Sequence, residues 1–286
     1  MEHDGENSRM LHFRTLDWGM DPLRKIVVHL DFVERAGGEV IASSLGYFGY
    51  VGVLTGVRKG LSMSLNFRPN HDASSKLANF RFYSHIVLVL LGYRPSISSV
   101  LRQYLLPSQS QPGTVKVPAQ TLDSIEQSLP GITTTAAYLI FCDGDRTVTV
   151  EKDHRTAVIR SSYDFIAATN HDAAEETRSR SQHASDQDSS RALQTTGMEG
   201  IVDESISRKS TVVKLWEKSL GKAKSNSSQR LPKQRQILTE KRIAEWLDVY
   251  PITNEETHFA TIMDPKSGQI VWIKGFFSPI DFDSES

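Results

Sequence analysis

The sequence has a single cysteine, Cys142, among its 286 residues. One cysteine cannot form a disulfide within the chain or complete a cysteine-rich zinc site. The nine histidines are scattered, with no HExxH motif and no other paired spacing typical of metal ligands. We therefore expect no bound metal, and no pattern in the chain indicates a cofactor.

Long apolar runs and excess charge are also missing. The longest apolar run, "HIVLVLLGY" at 85–93, is far shorter than the roughly 20 residues that span a bilayer. The N-terminal "MEHDGENSRM" is polar and acidic, which does not predict a signal peptide. A formal net charge of −1 gives no electrostatic reason to expect nucleic acid as a partner.

The remaining composition, 38% hydrophobic and 23% charged, is that of a globular protein with a sizeable core. Strand patterns fill 10–68 and return at 133–170, where the last of them is "DFIAATN". Between them, spacings of three and four residues, broken by Pro95, Pro107 and Pro130, predict three helices. This order of blocks favours a layered α+β fold over βαβ winding.

Two polar stretches interrupt the second half of the chain, at 171–205 and 218–236. Both have too few bulky apolar residues to offset the entropy lost on ordering, so we expect one domain over 1–286 with two mobile insertions. The second stretch is basic, which fits a solvated insertion or contact with an anionic surface. We expect "SRKSTVVKLWEK" between them to dock on the body, and 238–275 to form a helix followed by a hairpin.

The stretch "HFRTLDWGM" at 12–20 places Arg14 and Asp17 three residues apart on the first predicted strand. An arginine stabilises a nearby thiolate, and a carboxylate can hold an ammonium group. Such a pair suits an N-terminal Cys, Ser or Thr nucleophile whose own amine acts as the base. On the residues alone, an ordinary surface pair is the simpler interpretation.

The same stretch resembles the "HGRNxDW" segment of the acid ceramidase and N-acylethanolamine acid amidase family. The following "GYVGVLTGVRKGLSMSLNFR" is similar to that family's "GYVGxLTGxxPGxFSxSLNER". Further on, "TTTAAYLIFCDGDRTVTVEKDH", "AATNHD" and "ETHFATIMDPKSGQIVW" resemble its later segments. The resemblance runs from about Leu11 to about Gly275 and is interrupted by the two polar stretches.

This resemblance implies an N-terminal-nucleophile hydrolase with an αββα sandwich, made as a proenzyme that cleaves itself to expose a cysteine. That cysteine attacks a fatty-acyl amide and forms an acyl-thioester, which water hydrolyses. Carried over by position, Arg14 lies against the thiol, Asp17 orients the α-amine, and Asn170 donates to the oxyanion. Arg208 matches a further active-site arginine, and on the residues alone Asn170 also fits a turn cap.

The chain departs from the family pattern at three points. The family nucleophile stands about sixteen residues before the arginine, a position ahead of Met1. Cys142 cannot replace it, because it ends a predicted strand and has no free α-amine. The glutamate of "LNER" is Phe67 here. We therefore expect the nucleophile, and the upstream subunit segment that would be a partner, to be missing from this chain.

Two hypotheses follow. In the first, the chain is the catalytic-subunit portion of a ceramidase-like amidase that hydrolyses ceramide-like lipids to a fatty acid and a sphingoid amine. In the second, it is a catalytically silent lipid-binding or regulatory relative. N-acylethanolamines are an alternative substrate, whereas the glycine-rich "GYFGYVGVLTG" argues against bile-salt or penicillin-like amides. The resemblance also implies a lysosome-like or secreted location and peripheral contact with lipid surfaces.

Overall fold

The computed structural model describes residues 9–106, 119–175, 199–225 and 238–281. In chain order the strands are β1 His12–Asp17, β2 Val27–Val33, β3 Val40–Tyr47, β4 Thr55–Arg58, β5 Leu61–Phe67, β6 Ala137–Cys142, β7 Thr147–Lys152, β8 Ala157–Ser162, β9 Thr257–Asp264 and β10 Gln269–Gly275. The α-helices are α1 Lys76–Leu90, α2 Ile97–Leu105, α3 Leu122–Ser128, α4 Glu199–Ser225 and α5 Glu240–Leu247. None of the helices in the described ranges is long and apolar enough to cross a membrane.

The strands form two antiparallel sheets. Strands β2 to β8 make a seven-stranded sheet in which each strand pairs with the next one along the chain. The other sheet has the order β1-β9-β10, so it joins the first strand to the C-terminal hairpin. The predicted strand blocks, apart from "DFIAATN", and the predicted hairpin are thus confirmed.

The three predicted helices between the strand blocks are also confirmed, whereas Pro107 lies outside the described residues and α1 ends at Leu90, ahead of Pro95. Ser96, directly after Pro95, caps α2 by accepting a hydrogen bond from the Ser99 backbone N–H. Thr121 caps α3 in the same way. Pro130 lies in a short 3-10 helix that follows α3, because proline cannot continue the α-helical ladder.

Helices cover both outer faces of the paired sheets. Helices α2 and α3 pack with the seven-stranded sheet in a core that includes Leu101, Ile125 and Phe141. Helices α4 and α5 pack on the three-stranded sheet around Trp246 and Ile262. A third cluster, Leu16, Leu45, Tyr47, Leu54 and Phe259, fills the space between the sheets. The architecture is an α+β sandwich of the αββα type, as predicted.

The structure differs from the sequence prediction in two places. The segment "DFIAATN" at 164–170 is irregular rather than a strand, and Asn170 at its end bonds to Ser205 of α4 and to Phe67 of β5 instead of a sheet neighbour. Two stretches, 171–205 and 218–236, were expected to be mobile. Of these, residues 176–198 and 226–236 lie outside the described residues. Residues 199–205 and 218–225 belong to α4, and Ser205 is fully buried there.

His12 connects the two sheets by hydrogen bonds. Its Nδ1 lies 3.0 Å from the Ser62 hydroxyl, and its Nε2 lies 3.0 Å from the Ser64 hydroxyl. Ser62 donates to the Cys142 carbonyl at 3.3 Å, so we assign the proton to Nδ1 and let Nε2 accept from Ser64. Burial, with a smaller contribution from the Arg14 charge, lowers the pKa of His12 to about 3.

We expect His12 to make the protein less stable in acid. In the unfolded chain its pKa is near 6.5, so below that pH the unfolded state binds a proton that the folded state excludes. The free energy of unfolding should therefore fall as pH decreases from about 6.5 to about 3. Urea unfolding of the wild type and of His12→Gln at several pH values measures this contribution.

The expected result is a shallower pH dependence in His12→Gln than in the wild type. The matched control is Leu30→Gln, which places a glutamine at an exposed position of β2 without removing a titratable group and should leave the slope of the wild type unchanged. Equal slopes for His12→Gln and the wild type would contradict the assignment.

Candidate functional site

A cavity of about 1060 Å³ lies along β1. Phe13, whose side chain packs with the α4–α5 layer, and Arg14, whose side chain faces the other sheet, both line it. Neighbouring residues of a strand point to opposite faces, so a single cavity reaches both only around the edge of the strand. Within the described part of the chain, no strand pairs with this edge of β1.

The walls of the cavity are mainly apolar and come from both layers. They include Leu11, Phe13, Ile140, Phe165, Val212, Trp216 and Ile252. The rings of Phe165 and Trp216 stack with centroids 4.9 Å apart, which fixes α4 against the irregular 164–170 segment. The four residues predicted for the site, Arg14, Asp17, Asn170 and Arg208, all line this cavity.

Arg14 is buried and is held by neutral oxygens. Its Nη1 donates to the Leu54 carbonyl at 3.0 Å, the Thr55 hydroxyl at 2.9 Å and the Leu65 carbonyl at 3.2 Å. No carboxylate of the described residues forms a salt bridge with it. Burial lowers its pKa to about 10, and the negative charge of Asp17 partly offsets that effect. Arg14 therefore offers the cavity a positive charge that no carboxylate in the described part of the chain neutralises by contact.

Asp17 pairs with Arg208 rather than with Arg14. A register shift in the β1–β9 pairing separates Leu16 from Asp17. The Asp17 carboxylate accepts hydrogen bonds from the Thr257 hydroxyl at 2.7 Å and from Nη1 of Arg208. Both side chains of the ion pair are nearly buried, with 10% and 13% exposure. The predicted neighbours Arg14 and Asp17 thus share the cavity but have different partners.

Asn170 joins this ion pair through its side-chain amide. Its Oδ1 accepts from Nη2 of Arg208 at 3.2 Å, and its Nδ2 donates to the Phe67 carbonyl at 2.8 Å. These two bonds fix which amide atom is nitrogen, and they leave the second N–H of Nδ2 without a described acceptor. The backbone N–H of Asn170 donates to the Ser205 hydroxyl at 2.6 Å. Asn170 is thus held by tertiary contacts rather than capping a turn.

Sequence reasoning missed several residues of the site. Ser205 and Thr257 orient Asn170 and Asp17, and Glu204 and Glu256 line the cavity near the ion pair. Burial and the nearby carboxylates of Glu204 and Asp17 raise the pKa of Glu256. These residues come from segments far from β1 in the chain, so no local spacing marks them.

Cys142 takes no part in the cavity. It is fully buried at the end of β6, and burial raises the pKa of its thiol to about 11. A protonated, inaccessible thiol is a poor nucleophile, which confirms its interpretation as a packed residue. Among the described residues there is also no group of three or more His, Cys, Asp or Glu side chains that could hold a metal ion.

We expect the Asp17–Arg208 pair to be strongly coupled in stability. Arg208→Ala should lower the free energy of unfolding by about 3 kcal/mol, because it leaves a nearly buried carboxylate without its cation. Arg208→Ala combined with Asp17→Asn should cost less than the sum of the two single changes, by at least about 1 kcal/mol. Urea unfolding of the four proteins measures this coupling.

Arg242→Ala is the matched control for the loss of an arginine. Arg242 forms an exposed pair with Glu245, and its removal should cost less than about 1 kcal/mol. Additive effects of Asp17→Asn and Arg208→Ala would argue against a coupled pair.

Comparison with known proteins identifies solved structures with a similar fold. No protein-family model and no curated protein matches the chain. Among solved structures, a Caenorhabditis elegans N-acylethanolamine-hydrolyzing acid amidase ortholog is similar at 22% identity and a TM-score of 0.59, over 90% of this chain and 88% of that one. Penicillin V acylase from Agrobacterium tumefaciens matches at 14% identity and a TM-score of 0.48, over 98% and 84%. The chain therefore shares its αββα fold with the Caenorhabditis elegans amidase structure.

Proposed function

We propose that this chain carries the substrate cavity of a ceramidase-like N-acyl amide hydrolase whose cysteine nucleophile is not among its residues. One observation supports this above all. Four polar side chains that the family resemblance assigns to catalysis meet at one mainly apolar cavity. They come from positions 14, 17, 170 and 208, which only the folded chain brings together.

The apolar walls suit the acyl part of the substrate. A cavity near 1060 Å³ is at the upper end of the size typical of small-molecule sites. Leu11, Phe13 and Trp216 offer aliphatic and aromatic surface, and burying apolar surface of a fatty chain gains roughly 25 cal/mol per Å². The polar side chains at positions 14, 17, 170 and 208 would then contact the reacting amide.

The open edge of β1 offers backbone hydrogen bonds to a strand that carries the nucleophile. In the proposed reaction, the cysteine thiolate attacks the amide carbonyl carbon beside Arg14, whose charge stabilises the thiolate. Asp17 keeps lone pairs for the α-ammonium group, and the remaining N–H of Asn170 donates to the oxyanion. The α-amine, which has taken the thiol proton, passes it to the leaving amine as the C–N bond breaks, and water then hydrolyses the acyl-thioester to the fatty acid and free thiol.

Two substrate classes are candidates, ceramide-like lipids and N-acylethanolamines. Both join a fatty acyl group to an amine that carries hydroxyl groups. The carboxylates of Glu204 and Glu256 line the cavity and can accept hydrogen bonds from such hydroxyls. The Caenorhabditis elegans structure that shares the fold is an N-acylethanolamine-hydrolyzing acid amidase ortholog, which supports N-acylethanolamines as the second candidate.

The first experiment is to purify the mature protein from its native source, determine its N-terminus by mass spectrometry, and assay release of palmitate from N-palmitoyl sphingosine and N-palmitoylethanolamine. We expect a chain that begins with cysteine ahead of this sequence and hydrolyses at least one of the two lipids. In that form, Asn170→Ala should lower kcat by about 10²- to 10³-fold, because an oxyanion donor is lost.

Asn70→Ala is the matched control, since Asn70 contacts Glu175 outside the cavity and its removal should leave kcat unchanged. A mature chain that begins at Met1, binds both lipids and releases no palmitate would overturn the hydrolase proposal in favour of a silent lipid-binding relative. A chain that neither binds nor hydrolyses either lipid would overturn both hypotheses.

A further inference from the structure

Three polar side chains form a network next to Asn170. They are Arg68, which directly follows β5, Tyr138 of β6, and Asp172, which stands two residues after Asn170. The side chains of Arg68 and Asp172 are 10% and 21% exposed, and Tyr138 is buried. The described residues that line the cavity do not include any of the three, and the proposed chemistry does not use them.

Asp172 is the centre of this network and accepts three hydrogen bonds. Nε of Arg68 donates to its Oδ1 at 2.8 Å and Nη2 donates to its Oδ2 at 2.7 Å, which is the bidentate geometry of strong arginine–carboxylate pairs. The Tyr138 hydroxyl also donates to Oδ1, at 2.8 Å. Burial opposes ionisation, but the bonds from Arg68 and Tyr138 nevertheless lower the pKa of Asp172. Asp172 is therefore a carboxylate held in one orientation.

The two donors are themselves fixed to the seven-stranded sheet. Tyr138 belongs to β6, which pairs with β5 on one side and with β7 on the other. The guanidinium carbon of Arg68 lies over the Tyr138 ring, 5.7 Å from its centroid. Nη1 of Arg68 also donates to the Lys152 carbonyl at 3.3 Å and to the Asp153 carboxylate at 3.4 Å. The network thus connects Asp172 to the sheet through several bonds.

The network continues into the contacts of Asn170. Nδ2 of Asn170 donates to the carbonyl of Phe67, the residue before Arg68. Two bonds therefore join the same two chain segments, one between Phe67 and Asn170 and one between Arg68 and Asp172. In the part of the chain that the structure describes, no strand pairs with residues 164–170, so contacts of this kind decide where Asn170 lies.

An oxyanion donor has to be oriented before the reaction begins. Its N–H must point at the place where the negative charge develops, and a misplacement of about 1 Å can cost about 10²-fold in rate. If the 170–172 segment moved away from the end of β5, the Asn170 carboxamide would lose its bond to Phe67 and could rotate. The direction of its second N–H would then no longer be fixed.

We propose that Arg68, Tyr138 and Asp172 are positioning residues that orient the Asn170 carboxamide by holding residues 170–172 against the end of β5. This role rests on the proposed function, in which Asn170 donates to the oxyanion. The three residues touch neither the substrate nor the nucleophile and act on the reaction only through Asn170.

Kinetics of the mature form that carries the cysteine test this role. Asp172→Asn keeps the shape of the side chain and removes its charge. It should lower kcat about tenfold and leave KM within about twofold, because the oxyanion contact is made only in the transition state. In an Asn170→Ala background, Asp172→Asn should lower kcat by less than about twofold, because the donor through which it acts is already missing.

Asp123→Asn is the matched control. Asp123 of α3 also pairs with an arginine, Arg146, at 2.6 Å, and the described residues that line the cavity include neither of them. Its change should leave kcat as in the wild type. If Asp172→Asn lowered kcat by the same factor with and without the Asn170 side chain, Asp172 would not act through Asn170 and the proposal would be overturned.

The side-chain amide signals of Asn170 give a second measurement that requires no hydrolysis. In proton–nitrogen correlation NMR spectra of the deuterated full chain, they are the pair of signals that Asn170→Ala removes. Tyr138→Phe, which deletes a single oxygen atom, should shift this pair, whereas Asp123→Asn should not. Thermal melting checks that each variant is folded, and Tyr138→Phe decides if Asp172→Asn unfolds.

The two measurements separate this proposal from the proposed function. If the mature protein hydrolyses neither lipid, the proposed function fails, and the NMR signals alone decide whether the network orients Asn170. Asn170 signals that stay at their wild-type positions in folded Tyr138→Phe would overturn the positioning role, whether or not the wild type is active.

Discussion

The ion pair between Asp17 and Arg208 is the contact on which the arrangement of the site depends. It joins the first strand of the chain to helix α4, and Arg208 also donates a hydrogen bond to the Asn170 side-chain amide. A nearly buried pair gains little net stability, because desolvation of both charges offsets their attraction. Its main effect is on geometry, since it fixes Asp17 of β1 against Arg208 of α4. The positions of α4, of the 164–170 segment and of β1 are thereby linked.

Local patterns were sufficient to predict most of the fold. Alternating strands, helical spacing and the breaks at Pro95 and Pro130 depend on neighbours a few residues apart, and the structure has these elements where the patterns place them. "DFIAATN" failed because tertiary contacts override its strand propensity: Phe165 stacks on Trp216, and Asn170 bonds to Ser205 and Phe67. The polar composition around 199–205 was likewise misleading, since one buried serine and one apolar side of α4 are enough to hold it.

The site could be predicted only in part for the same reason. The family resemblance identified four residues that line one cavity, but it could not identify their partners. Arg14 and Asp17 are close in sequence, yet one bonds to oxygens of β4 and β5 and the other to Arg208 and Thr257. These partners lie between 40 and 240 residues away in the chain. Only tertiary structure relates positions at such separations.

The three-stranded sheet has a consequence for how the molecule forms. Its strand β1 begins at His12, while β9 and β10 end the ordered core at Thr257 to Gly275. The seven-stranded sheet needs only sequential neighbours, whereas the β1–β9 pairing closes a loop of well over two hundred residues. Long-range closure is slow relative to local pairing. The cavity wall around β1 should therefore be completed late in folding, so a chain that has not yet gained its C-terminal hairpin would have the seven-stranded sheet without the pairing that positions Asp17.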